Sequence, residues 1–431
     1  MPFLVVVIGL LILVTFGAPL FSIIGAVSLL GFSFQEIDTS AVIIELYRLA
    51  SQPVLLAIPL FAVAGYMLAE SNAPKRLVAF AQAVIGWMPG GLAIVVLSSC
   101  AIFTAFTGGS GITIVALGGL VFPILLAEKY SDKFALGLVT TSGSLGLLFP
   151  PSLPIILYGT FAEVSIDDLF KAGIIPGILL VLVLAVYSIQ QGVSLHIERH
   201  RFDLKRVWRA LKDVAWEIPL PFFIIGGIYG GYFTATEAAA VTAFYVFIVE
   251  VVVYKDLKLT TDVPRIMIES MVLVGAILMI LATAMGLTSF LIDQQIPQQL
   301  FELIRRYVES KTVFLMLLNV FLLVIGMMME IFSAIVVVPL IVPIAKQYGI
   351  DPVHLGIIFL ANLEIAYLMP PVGMNLFMSS FRFKKTIGQV AMATLPFILV
   401  LLVALVIITY VPGLSLWLVE LTRQAPAAVM P

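Results

Sequence analysis

Two Pro-Pro pairs lie inside strongly apolar stretches 220 residues apart, Pro150-Pro151 in LGLLFPPSLPIILYG and Pro370-Pro371 in IAYLMPPVGMNLFMS. Proline has no N–H, and its ring blocks the carbonyl four residues back. Each pair is therefore expected to free two carbonyls, those of Gly146 and Leu147 and those of Ala366 and Tyr367. In a bilayer such carbonyls need a partner. Helices broken at matching places in two halves of a chain point to a transporter's binding site.

The bilayer is the expected solvent because 61% of the 431 residues are hydrophobic and only 11% are charged. Apolar runs cover nearly the whole length, as in an all-α polytopic membrane protein. The longest polar stretch, 196–217, is too short for a soluble domain. The opening run MPFLVVVIGLLILVTFG has no basic residue before it, so it is expected to be a retained span rather than a cleaved signal. A single cysteine, Cys100, excludes a disulfide within the chain.

Sliding the chain by 220 superposes Pro123 on Pro343, Phe161 on Phe381 and Pro176 on Pro396, as well as the two Pro-Pro pairs. This predicts two repeats. The first, 1–215, has scaffold spans within 3–71 (3–16, 19–32 and 53–71), an amphipathic arm at 75–87, a hairpin at 91–127, a broken span at 134–161 and a closing span at 173–195. The second, 216–431, has scaffold spans within 218–291, an arm at 294–308, a hairpin at 313–345, a broken span at 353–381 and a closing span at 388–411. The short hairpin legs and sharp tips suggest re-entrant loops. Five crossings plus one re-entrant hairpin per half is an odd number of crossings, so the repeats are expected to be inverted in the membrane. With both termini outside, sixteen of the 23 Lys and Arg residues fall on the inner side, as the positive-inside rule asks.

The first hairpin tip reads Thr107-Gly108-Gly109-Ser110-Gly111, and Thr140-Thr141-Ser142-Gly143-Ser144 runs into the first break. Glycine lets the backbone turn, and hydroxyls and free carbonyls are hard oxygen ligands for a small cation. Packing through small residues would account for the same composition; the adjoining break favours an ion site. The second tip is Gly326-Met327-Met328-Met329-Glu330, and its break carries Asn362, Glu364 and Asn375. Glu364, deep in an apolar span, must be paired, protonated or beside a cation. Glu330 is either part of the site or an N-cap of the returning helix. Glu237 is expected to cap a helix, with Thr234 or Thr236 as N-cap. The three histidines, His196, His200 and His354, form no metal-ligand or catalytic set. No enzyme constellation and no phosphate-binding loop is visible, and nothing suggests a nucleic-acid partner.

The runs FTAFTGGSGIT, LVTTSGSLGLLFPPSLPIILYG, GGIYGGYFTATEAAAV and NLEIAYLMPPVGMNLFMSS together resemble the large membrane subunit of TRAP (tripartite ATP-independent periplasmic) transporters, over essentially the whole chain. The resemblance implies sodium-driven uptake of an organic anion by an elevator mechanism, in the cytoplasmic membrane of a bacterium or archaeon, where the charge count above makes both termini periplasmic. It implies a small four-span membrane subunit and a periplasmic solute-binding protein as partners. Two or more Na+ ions are implied. One would sit at Ser110, Gly111, Ser144, Gly146 and Pro150, and another at Gly326, Glu330, Ala366 and Met369. Substrate would meet Thr107, Gly108, Ser152, Gly373 and Asn375. The chain departs from the family where Ala366 and Met369 replace the frequent Gly and Thr. A standalone ion-coupled carrier and a passive anion channel are the alternatives.

Overall fold

A computed structural model describes residues 18–88, 90–195 and 202–424. The expected first span at 3–16, and His196 and His200, lie outside the described residues. Among the described residues the regular structure is entirely helical. Among the described residues seven helices are long and apolar enough to cross a membrane, and one further pair, Asp132–Leu148 with Leu153–Ala162, is bent by 46° at its break.

The same succession of elements occurs twice. An arm, Ala73–Ile85 or Ile296–Arg305, precedes an outgoing hairpin leg, Gly91–Thr107 or Lys311–Met328. The returning leg is irregular in both copies. Ile114–Gly118 is a π-turn and Ile335–Val337 a 3-10 turn. The legs end at left-handed residues in matching positions, Lys129 and Gly349, with φ of 65° and 69°. The broken spans begin with side-chain caps, Ser131 accepting from Phe134 N and Asp351 from Val353 N. Both Pro-Pro bonds are cis. The closing spans, Ile166–Ser194 and Ile387–Tyr410, start at caps Ser165 and Thr386.

Three helices arise where the sequence reading placed none: Ser40–Ala50, Leu204–Asp213 and Gly413–Gln424. The first and last are short and follow the turns of longer spans. Leu204–Asp213 lies inside the polar stretch 196–217; its Asp203 cap accepts from Lys205 N. Thr234 and Glu237 do form a reciprocal capping box, as expected.

The first arm is fastened to the second half by one guanidinium. Arg76 pairs with Glu217, with Asp256 at 2.6 Å and with Glu250 at 3.0 Å, and stacks 3.8 Å from the Tyr254 ring centroid. Asn72 Nδ2 donates to Asp256 at 2.9 Å, and Tyr254 Oη donates to Glu217 at 2.9 Å. Arg76 is one of the positions counted above as inner charge, but it is a buried junction rather than a solvated one.

Candidate functional site

The two breaks and two tips come together at the centre of the fold. Thr104 Oγ1 on the outgoing leg lies 2.7 Å from Thr113 Oγ1 on the returning leg and donates to the Gly143 carbonyl at 2.9 Å. This single side chain joins both legs of the first hairpin to the first broken span. Gly146 makes the approach possible: a Cβ there would lie 2.3 Å from the Ala101 carbonyl oxygen and 2.4 Å from Ala105 N. A Cβ on Gly143 would likewise sit 3.2 Å from the Ser110 carbonyl. Gly108, with φ of +65°, turns the chain at the tip and donates its N–H to Thr104 O at 2.8 Å. The structure thus seats the first hairpin, at Ala101, Thr104, Ala105 and Ser110, against Gly143 and Gly146 of the first broken span.

The first and second broken spans then meet each other. Thr140 Oγ1 donates to Ser379 Oγ at 2.8 Å, and Asn375 Nδ2 donates to the Thr140 carbonyl at 3.2 Å. Ser144 Oγ lies 3.4 Å from the carbonyl oxygen of Glu364, its counterpart 220 residues on. Met378 covers Gly111 of the first tip. The second tip meets its own break, because Gly326 packs against Ala366 and Leu363.

Two expectations need correction. The carbonyls facing the prolines are mostly not free. Gly146 O accepts from Phe149 N at 3.1 Å, Ala366 O from Met369 N at 3.0 Å and Tyr367 O from Asn375 N at 3.2 Å. Tight turns before each Pro-Pro supply the first two donors, and Asn375, beyond the second pair, supplies the third. A carbonyl keeps a second lone pair, so these oxygens retain one site for a cation. Glu330 occupies the N-cap position of the returning helix but makes no side-chain cap bond, and it is exposed. The Ile331 N–H there donates instead to Tyr367 Oη at 2.7 Å. Tyr367 from the second break therefore caps the second tip. The sequence reading takes Tyr367 for its carbonyl and passes over its hydroxyl, as it passes over Thr104; a hydroxyl within a turn of a tip or a Pro-Pro pair was the available signal.

Several buried oxygens at this centre have no hydrogen-bond partner: Thr107 Oγ1, Thr141 Oγ1, Ser152 Oγ, Asn375 Oδ1 and both carboxylate oxygens of Glu364. All of these residues are at most 1% exposed. Orphaned buried acceptors are costly. Clustered on tips and breaks, they suit a desolvated cation and a polar solute. Among the described residues no group of three or more His, Cys, Asp or Glu could hold a metal ion. A cation here would be held by hydroxyl and carbonyl oxygens, which suits a small alkali ion rather than a transition metal.

Residues 4–414 match the family model described as "Tripartite ATP-independent periplasmic transporter, DctM component". The chain is 37% identical over 395 residues to the C4-dicarboxylate TRAP transporter large permease protein DctM of Pseudomonas aeruginosa, covering 91% of this chain and 92% of that protein. It is 36% identical to the protein of the same description from Vibrio cholerae, covering 96% of each. The fold is also that of the YdaH transporter of Alcanivorax borkumensis, at a TM-score of 0.62 and 15% identity over 88% of this chain and 89% of that one.

Proposed function

Because this chain belongs to the DctM family of tripartite ATP-independent periplasmic transporters, we propose that it is the large membrane subunit that carries an organic anion inward on a sodium gradient. The observation that carries this reading is the set of unpartnered buried oxygens on the tips and breaks. A C4-dicarboxylate is the first solute to test, since the relatives compared above are described as C4-dicarboxylate permeases. A small membrane subunit and a periplasmic binding protein complete the proposed assembly, which sits in the bacterial inner membrane with both termini outside.

In the proposed mechanism the two repeats are inverted. The hairpins and broken spans form a transport body, and the remaining spans and both arms form a scaffold. One sodium ion is held between the Thr107–Ser110 tip and the Ser144–Pro150 break. A second lies between the Gly326–Glu330 tip and the Ala366–Gly373 break, where Met369 offers its backbone carbonyl rather than a hydroxyl. Each ion fixes a tip against a break, and this completes the pocket for the anion. The N-termini of Leu153–Ala162 and Met374–Phe383 follow the breaks directly, and their dipoles favour a negative charge. Ser152 and Gly373 are the N-caps of those helices and make no side-chain cap bond. At the second break Gly373 N and Asn375 N already donate to Met369 O and Tyr367 O, so the helix dipole rather than free N–H groups is what suits a carboxylate there.

Ser110→Ala and Ser144→Ala are expected to raise the sodium concentration for half-maximal uptake about fivefold or more, matching the loss of roughly 1 kcal/mol for one neutral ligand. Sodium titrations of uptake in proteoliposomes check this. Unchanged titration curves in both variants count against the first ion site.

A further inference from the structure

Between the arm Ala73–Ile85, the outgoing hairpin leg Gly91–Thr107 and the segment 211–222 runs a groove of about 540 Å³. Leu77, Phe80, Val84, Ile102 and Phe222 are among its apolar walls. The one carboxylate on the wall, Glu217, is engaged by Arg76 and Tyr254, so it presents no free charge to an occupant.

The helix Leu204–Asp213 borders this groove through Leu211. Lys205, Arg209 and Lys212 recur at i, i+4 and i+7, which sets them on one helix face. All three are exposed, as is Arg206 beside them, while Ala210 and the following Val214 are buried. Trp87, Trp208 and Trp216 are large exposed aromatics in the same region. Trp87 packs edge-on against Phe202, and Arg206 reaches Gln82 of the arm at 3.2 Å. A basic amphipathic helix with tryptophans at its margins lies in the plane of a membrane interface. Lysines and arginines grouped there attract anionic headgroups.

We propose that the groove holds an acyl chain of an anionic phospholipid whose headgroup rests on the Lys205–Arg209–Lys212 face. The lipid wedges the arm against the first hairpin. In the reading above the hairpin leg moves and the arm does not, so the lipid sits at the sliding boundary and sets how easily it slides. The proposal rests on the inner placement of this segment, and not on which solute is carried.

The test is lipid retention, which needs no transport. The chain in its membrane complex is released from nanodiscs of equal phosphatidylglycerol and phosphatidylcholine, and bound lipids are weighed by native mass spectrometry. Wild type is expected to retain phosphatidylglycerol several-fold over phosphatidylcholine. The triple variant Lys205→Gln, Arg209→Gln, Lys212→Gln is expected to lose that preference. Ala81→Trp, which fills the groove and leaves the basic face intact, is expected to lose the retained lipid altogether. Equal retention of both lipids by wild type, or undiminished phosphatidylglycerol in the two variants, overturns the proposal. Loss of a protein subunit by the triple variant with lipid unchanged overturns it too, and makes the groove a protein contact.

Discussion

Arg76→Ala is expected to lower the stability of the chain by about 3–5 kcal/mol, the usual cost of removing one partner from a buried ion network. Arg76 shows 13% of its side chain, Glu217 3%, Glu250 none and Asp256 12%. Deleting the guanidinium leaves three carboxylates crowded together without their common cation. Arg76→Lys is expected to restore only part of the loss, because an ammonium cannot span three acceptors in one plane. Burial on its own would lower the Arg76 pKa, but the hydrogen bond from Arg76 to Asp256 and the charges of Glu250 and Glu217 raise it overall. Burial pushes the Asp256 carboxyl up, but hydrogen bonds from Asn72 and Arg76 outweigh it and hold the group below its usual value of 3.8. A depressed carboxyl stabilises above its unfolded value and loses that contribution as pH falls through the folded one. The contribution of Asp256 is therefore present at neutral pH and is lost in acid, below about pH 4. Unfolding temperature in detergent at a fixed scan rate is the readout. Arg265→Ala is the control. Its partners Glu70 and Glu269 are 40% and 43% exposed, and Arg265 itself 48%, so about 1 kcal/mol or less is expected. Equal effects of the two substitutions would mean that the Arg76 cluster does not fasten the arm.

Gly146→Val is expected to cut sodium-driven uptake more than tenfold while the chain still inserts and folds. The new side chain would begin 2.3 Å from a carbonyl oxygen and 2.4 Å from an amide nitrogen of the hairpin leg. Those atoms are backbone within Gly91–Thr107 and cannot rotate away. Either the leg or the break must move, and overpacking of this kind costs about 1–3 kcal/mol. The larger effect is on function. The same displacement separates Thr104 from Gly143 and the first tip from Ser144. Gly226→Ala provides the contrast. Nothing lies within 4 Å of a Cβ at that position, so uptake is expected to be unchanged. Uptake assays on both variants at matched protein levels decide the point. Wild-type uptake by Gly146→Val would show that the break need not seat against the hairpin.

The parts of the fold governed by apolar length and by proline were legible in the chain. Pro150-Pro151 and Pro370-Pro371 located both breaks, and the tip residues Thr107–Gly111 located the first hairpin turn. Both signals are local: a missing N–H and a glycine-rich turn act within a few residues. What the sequence hid is set by encounters between distant segments. Arg76 meets carboxylates 141, 174 and 180 residues away, and nothing near Arg76 announces them. Tyr367 caps a helix 36 residues earlier. The freed carbonyls were overestimated because backbone turns, and Asn375, supply donors that a count of missing proline N–H groups does not register. The helix Leu204–Asp213 was hidden because its many charged residues make 196–217 read as a polar connection.

The most direct test is uptake of a C4-dicarboxylate into proteoliposomes containing this chain and its small membrane subunit, with a loaded periplasmic binding protein outside. The assay is run with and without an inward sodium gradient. Uptake that requires both the binding protein and sodium is the predicted result. A flux that is indifferent to sodium contradicts the ion sites at the tips and breaks; sodium-driven uptake without any binding protein contradicts the tripartite reading.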